Sequence, residues 1–148
     1  MIHSNGTKNN ATWVLGSIFF VATILGVVTF FNYTRTEKSV QKGIAHLLEE
    51  GKSLSMQGCV KELLTWTSQC EGIKTVCDAS APILMESCLR AQDRSAECGE
   101  NAQVRKDSKF GFKECSVLTL TKDRRKVCGN AFRAFDSYCR TRVVAGKL

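Results

Sequence analysis

Hydrophobic residues are continuous in one segment of the chain and periodic in the rest. From Trp13 to Phe31 there is no charged side chain, and nearly every residue is apolar. A helix of about 20 such residues rises roughly 30 Å, the thickness of the hydrocarbon core of a bilayer. A cleaved signal peptide is the alternative, but its apolar region normally has about 7 to 15 residues, and residues 32–35 offer no good small-residue cleavage site. The pattern therefore predicts a retained transmembrane helix at residues 12–33, after a short tail at residues 1–11.

Residues 34–56 have the pattern of an amphipathic helix. Their apolar residues recur at helical spacing, and charged residues occupy the other face. Gly51 is expected to break or bend this helix. The segment is predicted to be a stalk that packs either on its own domain or on a partner helix. Its apolar positions are Val40, Ile44, Leu47, Leu48 and Leu54.

Residues 57–148 contain all eight cysteines of the chain. None is in a C-x-x-C pair, and both histidines are remote from them in sequence. This disfavours a zinc site, covalent haem attachment and a thiol–disulfide oxidoreductase. We therefore predict structural disulfides, with no metal and no cofactor. The cysteines are Cys59, Cys70, Cys77, Cys88, Cys98, Cys115, Cys128 and Cys139.

The spacing of the cysteines predicts helices with buried stripes. Three intervals, 59–70, 77–88 and 128–139, have the form C-x10-C. Two such sulfurs lie on one face of a helix but roughly 16 Å apart along its axis, whereas a disulfide needs Cα atoms about 5.5 Å apart. Each cysteine must therefore bond to a neighbouring element. Positions +4 and +7 of each interval continue the stripe, and they are Leu63 and Trp66, Ala81 and Leu84, and Phe132 and Phe135.

The first two intervals predict an antiparallel helical hairpin. They have equal length and are joined by a short link that contains Gly72. This geometry favours an inner bond between Cys70 and Cys77 and an outer bond between Cys59 and Cys88. The layout resembles the twin C-x9-C helical hairpins of the mitochondrial intermembrane space, with x10 in place of x9, and the resemblance implies architecture alone.

The start of the second helix of this hairpin is limited by Pro82. Proline is tolerated only in the first turn of a helix, so the helix is expected to begin near Asp78 or Ser80, which are both good N-caps. Cys77 is then expected at or just before the start of that helix.

The second half of the cysteine-rich segment is less regular. Residues 106–113 read as a charged, glycine-bearing loop, while the helix that carries Cys128 and Cys139 is clear. By analogy with the first hairpin, the nested pairing is Cys115–Cys128 inside Cys98–Cys139. The whole pattern predicts an all-α protein with one N-terminal transmembrane helix, an amphipathic stalk helix and a disulfide-stapled bundle of about four helices, arranged as two hairpins.

Charge adds a candidate binding face. The net charge is +7, and Lys126, Arg133 and Arg140 recur every seven residues on the side of the last helix away from its cysteine stripe. Neighbouring cations extend this face. It is either an ordinary solvated surface or a site for an acidic protein surface or anionic lipid headgroups. Nucleic acid is not expected, since no recognition motif is present. The added cations are Lys122, Arg124, Arg125 and Arg142.

Enzymatic activity is not expected. The sequence has no G-x-S-x-G, H-E-x-x-H, phosphate-binding or dinucleotide-binding glycine motif. A nucleophile needs a base, and the segment after the apolar run offers only His46, in the stalk. The acid pair Glu49 and Glu50 lies on a helix exterior, where nothing raises a carboxyl pKa.

Two features of the sequence predict opposite orientations of the protein in the membrane. Lys8 precedes the apolar run, and Arg35, Lys38 and Lys42 follow it, so positive-charge counting would place the C-terminal side in the cytoplasm. However, a long flanking domain crosses largely regardless of charge, and eight cysteines are unusual in a reducing compartment. We therefore expect an inner-membrane protein with its C-terminal domain on the periplasmic side, or a mitochondrial inner-membrane protein facing the intermembrane space.

The leading hypothesis is a non-catalytic accessory or assembly subunit of an integral membrane protein complex. It would be anchored by a single helix and would contact partners through Lys126, Arg133 and Arg140. One alternative is a small membrane regulator that acts through its span, like lysis or exclusion proteins of phages and plasmids. Another is a thiol-redox protein, which requires at least one labile disulfide.

Overall fold

The computed structural model describes residues 7–107, 109–118 and 121–144, and these ranges are helical without any strand. The all-α class is therefore confirmed. Residues 1–6 of the predicted tail, Ser108 of the predicted loop and residues 145–148 lie outside the described residues. The helices are α1 Thr7–Glu50, α2 Met56–Gln69, α3 Lys74–Ala79, α4 Ala81–Arg90, α5 Ser95–Glu100, α6 Phe112–Val117 and α7 Lys122–Val144, with a 3-10 turn at Val104–Lys106.

Helix α1 runs without a break through the predicted span and through residues 34–50 of the predicted stalk. It is long and apolar enough to cross a membrane, with an 18-residue window of mean hydropathy 2.4 that is not buried by the rest of the protein. Charge begins at Arg35, but the helix continues to Glu50. It ends next to Gly51, where a break was expected. A Cβ on Gly51 would lie 2.5 Å from the carbonyl oxygen of Cys88, so the glycine lets the end of α1 lie close to α4.

Helix α2 runs antiparallel to the stalk part of α1, and polar contacts fix its register. Near the end of the apolar segment, Thr36 Oγ1 accepts a hydrogen bond from the backbone N–H of Ile73, just after α2, at 2.9 Å. Further along α1, His46 Nε2 lies 2.9 Å from Glu62 Oε1. The stalk therefore packs on its own domain rather than standing free.

The stalk meets the domain through small and apolar side chains. Leu47 is fully buried, and Ile44 packs against the core. At Gly43 a Cβ would lie 2.4 Å from the indole ring of Trp66, so the absence of a side chain lets the tryptophan lie against α1. Trp66 is half-buried at this contact and contributes to core packing, as its place in the stripe predicts.

The first hairpin has the predicted disulfides. Cys59 bonds to Cys88 with Cα atoms 5.9 Å apart, and Cys70 bonds to Cys77 with Cα atoms 6.2 Å apart. The second arm is divided in two, however. Helix α3 ends at Ala79, and α4 begins at Ala81 with Pro82 in its first turn.

Ser80 joins these two helices, and it is the N-cap residue of α4. Asp78, the other expected start, belongs to α3 instead. The backbone of Ser80 stays in the right-handed helical region, with φ −78° and ψ −6°. The buried stripe therefore continues across the junction, and Cys77, Ala81, Leu84 and Cys88 are all fully buried.

The second half has the nested pairing, with Cys98–Cys139 and Cys115–Cys128 bonds. Its connecting segment is more structured than the predicted loop at residues 106–113, because α6 begins within it at Phe112. Gly111 makes this possible. It adopts a left-handed φ of 80° and lies against Phe132, where a Cβ would be only 2.6 Å away.

Helix α7 supplies the centre of the core. Its predicted stripe is buried, with Phe135 and Cys139 fully enclosed and Phe132 3% exposed. Phe110 packs edge-on against Phe132 with ring centroids 5.4 Å apart. The disulfide-stapled helical bundle predicted from the sequence is therefore confirmed.

Candidate functional site

A groove with a basic rim lies between α6 and α7. Its volume is about 730 Å³. Among the described residues that line it, five are cationic and none is acidic. Phe110 and Phe112 add apolar surface, and Phe112 is 68% exposed. The cations are Lys109, Lys122, Arg125, Lys126 and Arg133.

The groove is built on α7 by helical spacing. Lys122, Lys126 and Arg133 are four and seven residues apart in turn, which places them on one face of the helix. The Cys115–Cys128 bond holds α6 beside this face. A covalent link therefore fixes the rim to a helix whose opposite face lies in the core.

Two of the three predicted contact residues, Lys126 and Arg133, meet at this groove. Arg140 does not join them. Its Nε lies 2.9 Å from Asp136 Oδ2, and Asp136 Oδ1 also accepts a hydrogen bond from Arg105 at 3.1 Å. Heptad spacing places Arg140 on the same side of α7, but the carboxylate one turn earlier binds it.

The other cations named from the sequence divide in the same way. Lys122 and Arg125 line the groove. Arg124 instead donates a hydrogen bond to the carbonyl of Leu64, and Arg142 lies over the ring of Tyr138, 5.1 Å from its centroid. Arg124 therefore joins α7 to α2, and Arg142 packs on an aromatic side chain of its own helix.

Sequence reasoning missed Lys109 and Phe112 as groove residues. Both belong to the segment predicted to be a solvated loop, and α6 brings them to α7. Asp107, two residues before Lys109, accepts hydrogen bonds from the backbone N–H of Lys109 at 2.9 Å and from Lys113 Nζ at 3.0 Å. These two bonds, the first most strongly, lower the pKa of Asp107. Asp107 is therefore held by its own loop and is not among the groove-lining residues.

The groove is suited to anionic groups arranged in a line. Lys122 and Arg133 are about 16 Å apart along α7. Cations gathered without a carboxylate between them create a positive potential that salt screens. Phe112 provides an apolar contact beside that charge. An elongated ligand that alternates carboxylates with a bulky apolar side chain would match both features.

A second unusual residue, Arg94, is buried where the stalk ends. Its side chain is 2% exposed. Its guanidinium donates to the carbonyl of Leu54 at 2.6 Å, to that of Gly51 at 3.0 Å and to Glu97 Oε2 at 3.1 Å. Glu97 Oε1 in turn accepts from the backbone N–H of Met56, the first residue of α2, at 3.1 Å.

This arginine also contacts the outer disulfide of the first hairpin. Its Nη2 lies 3.5 Å from Cys59 Sγ and 3.4 Å from the carbonyl oxygen of Cys88. Arg94 thus ties together the turn after α1, the start of α2 and the end of α4. No periodicity marks Arg94, so it could not be singled out from the sequence.

Two further carboxyl groups have pKa values below the ordinary range. The pKa of Glu71 is lowered by a hydrogen bond from Arg35, with charge attraction as the next cause, and the two side chains are 2.8 Å apart. The pKa of Asp93 is lowered first by the hydroxyl of Ser95 and then by its backbone N–H. Both groups are exposed. The pair of Arg35 and Glu71 joins α1 to the turn after α2, and the bonds of Asp93 close a local turn.

No protein-family model, curated protein or solved structure matches this chain.

Proposed function

We propose that this protein is a non-catalytic accessory or assembly subunit of a membrane protein complex. The apolar part of α1 anchors it as a single-pass protein, and the groove between α6 and α7 binds an acidic segment of a partner. The observation that supports this proposal is the groove itself, in which five cations and an exposed phenylalanine are gathered without an acidic residue among the described lining.

The groove fits a protein segment better than a lipid surface. Its cations extend about 16 Å along α7, so a planar layer of headgroups can reach one end but not the whole length. About five extended residues cover the same distance. An acidic stretch of polypeptide can therefore contact Lys122, Lys126 and Arg133 together.

The disulfides favour such a role because they make the groove rigid before binding. A preformed surface loses less conformational entropy on association than a flexible one. Cys115, which is bonded to Cys128, lines the groove. Rigid recognition suits a subunit that holds other proteins in place.

The disulfides also favour an oxidising compartment for the domain. Four disulfides in one small domain persist outside the reducing cytosol. We therefore place the domain on the periplasmic side of an inner membrane, with the intermembrane-space side of the mitochondrial inner membrane as the alternative.

The test is co-purification from detergent-solubilised membranes. The variant K126E/R133E reverses two groove cations, whereas R140E reverses a cation of the same helix that pairs with Asp136 outside the groove. We expect K126E/R133E to lose its partner while R140E keeps it, with unchanged circular dichroism in both. Retention of the partner by K126E/R133E would refute the role of the groove.

A span exchange separates this proposal from a regulator that acts through its membrane helix. Residues 13–31 are replaced by an unrelated apolar helix of equal length. Partner binding and activity that survive the exchange support the domain as the functional part. Their loss, with correct membrane insertion, would favour a regulator that acts through the span.

A further inference from the structure

The contacts along α1 fix the height of the domain above the apolar segment. Thr36, close to that segment, bonds to the turn after α2 through Ile73, while Gly51 bonds to Arg94 at the other end of the domain. Gly51 lies about 27 Å beyond Tyr33 along the helix axis. The domain therefore lies beside α1 with one end near the membrane surface and the other far from it.

Helix α7 points its first residues toward the membrane. Its Cys139 is bonded to Cys98, in the helix that also holds Glu97 next to Arg94, so this part of α7 is at the far end. Lys122 is about 26 Å back along α7 from Cys139. Arg124 donates to the carbonyl of Leu64, two residues before Trp66, which packs on Gly43. Lys122 therefore lies at about the level of Gly43 or closer to the membrane.

Helix α6 ends at the same level. Gly111 at its start lies against Phe132, and Cys115 is bonded to Cys128, so α6 runs antiparallel to α7. Its last residues approach the start of α7. There Val117 is 83% exposed, and Leu118 is 44% exposed.

We propose that this end of the domain rests on the anionic headgroup layer of the membrane that holds α1. The contact residues are Val117, Leu118, Lys122 and Arg125, which we call the membrane-facing end. Exposed apolar side chains next to cations are what interfacial binding requires, because the apolar groups enter the boundary layer while the cations meet the headgroups. Gly43 is about 15 Å beyond Tyr33 along α1, and the headgroup region extends about 5 to 7 Å beyond the hydrocarbon core, so the distance that remains is about one Debye length.

This proposal rests on the anchoring of α1 put forward above but not on a partner in the groove. The two surfaces share Lys122 and Arg125, yet they face different ligands. The groove cation farthest from the membrane is Arg133, about 16 Å beyond Lys122 along α7. The two proposals can therefore be tested with different variants.

The test is hydrogen exchange of the full-length protein in nanodiscs loaded with one copy each. One set of discs contains phosphatidylcholine alone, and the other contains 30 to 40% phosphatidylglycerol, roughly the range in which surface charge attracts basic segments. We expect amides of residues 112–118 to exchange about tenfold more slowly in the anionic discs, since each cation near such a surface favours contact by about fivefold. Residues 137–142, at the far end, serve as the internal control and should not change.

A double variant tests whether Val117 and Lys122 make the membrane contact. V117S/K122E changes two exposed side chains, and we expect it to lose the difference between the two kinds of disc while its circular dichroism is unchanged. Equal exchange of residues 112–118 in both discs would overturn the proposal, as would a difference that the variant retains. Failure of the wild-type protein to elute with the discs would instead refute the anchoring through α1.

Discussion

The buried guanidinium of Arg94 offers the sharpest test of how the domain is held on its stalk. Replacing it with methionine (R94M) keeps a long flexible side chain but removes every hydrogen bond to Gly51, Leu54 and Glu97. The change leaves Glu97 without its ion-pair partner. We expect a loss of stability without a change of fold.

The expected loss of stability depends on which polar groups still have a hydrogen-bond partner in R94M. Removing one member of a buried ion pair costs about 3 to 5 kcal/mol. Here the carbonyls of Gly51 and Leu54 keep a second donor, because Gln92 Nε2 lies 3.0 and 2.8 Å from them. The Glu97 side chain is 26% exposed and can be rehydrated. The free energy of unfolding should therefore fall by about 3 kcal/mol, the lower end of that range.

The measurement is a urea titration of the oxidised full-length protein in detergent micelles. Fluorescence of Trp66, which lies against Gly43 on α1, reports whether the domain is docked on the stalk. The matched control is R90M, since Arg90 is exposed and pairs with Glu86 across one helical turn. That variant should change stability by less than about 0.5 kcal/mol. If the free energy of unfolding of R94M is within about 0.5 kcal/mol of the wild-type value, the hydrogen bonds of Arg94 do not hold the turn after α1.

Three further predictions concern the stalk and the disulfides. G43A should destabilise the domain by about 1 to 3 kcal/mol in the same titration, because its Cβ would overlap the indole packed there; equal stability would show that the indole moves freely. C98A/C139A should cost about 4 kcal/mol, against about 2.5 kcal/mol for removing the inner bond of the first hairpin, because it opens the longer loop; the reverse order would contradict this reasoning. Glu71 should titrate below its ordinary pKa by NMR, and R35Q should raise that pKa. The ion pair therefore stabilises fully above the ordinary glutamate pKa and is lost as the pH falls through the lowered pKa.

The disulfide framework is the part of the fold that sequence predicts best, and the reason is geometric. Two sulfurs on one face of a helix but roughly 16 Å apart cannot bond to each other. Equal arms around Gly72 then leave nested pairing as the simplest solution, and the structure has that pairing. The constraint needs no knowledge of the residues between the cysteines.

Contacts that depend on distant segments escape such reasoning. Arg94 looks like any surface arginine in the sequence, and it becomes central only when the ends of α1 and α4 meet around it. Arg140 shows the opposite case. Its spacing predicts a free cation on the exposed side of α7, but Asp136 one turn earlier binds it.

Part of the groove lining could be named from the sequence for a related reason. Lys126 and Arg133 belong to one helix, so their common face follows from periodicity. Lys109 and Phe112 reach the same place through the left-handed turn at Gly111. A short charged segment with a glycine reads as a loop, because nothing local shows that its aromatic side chains have a partner in α7.

The unbroken length of α1 has a mechanical consequence. A membrane helix that exceeds the local bilayer thickness tilts to fit it. Because the stalk is the same helix and is fastened to the bundle from Thr36 to Gly51, the domain must tilt with it. A tilt of about 10° would displace Gly51 sideways by about 5 Å. The helix acts as a lever arm, so a change in bilayer thickness becomes a lateral movement of whatever the domain holds.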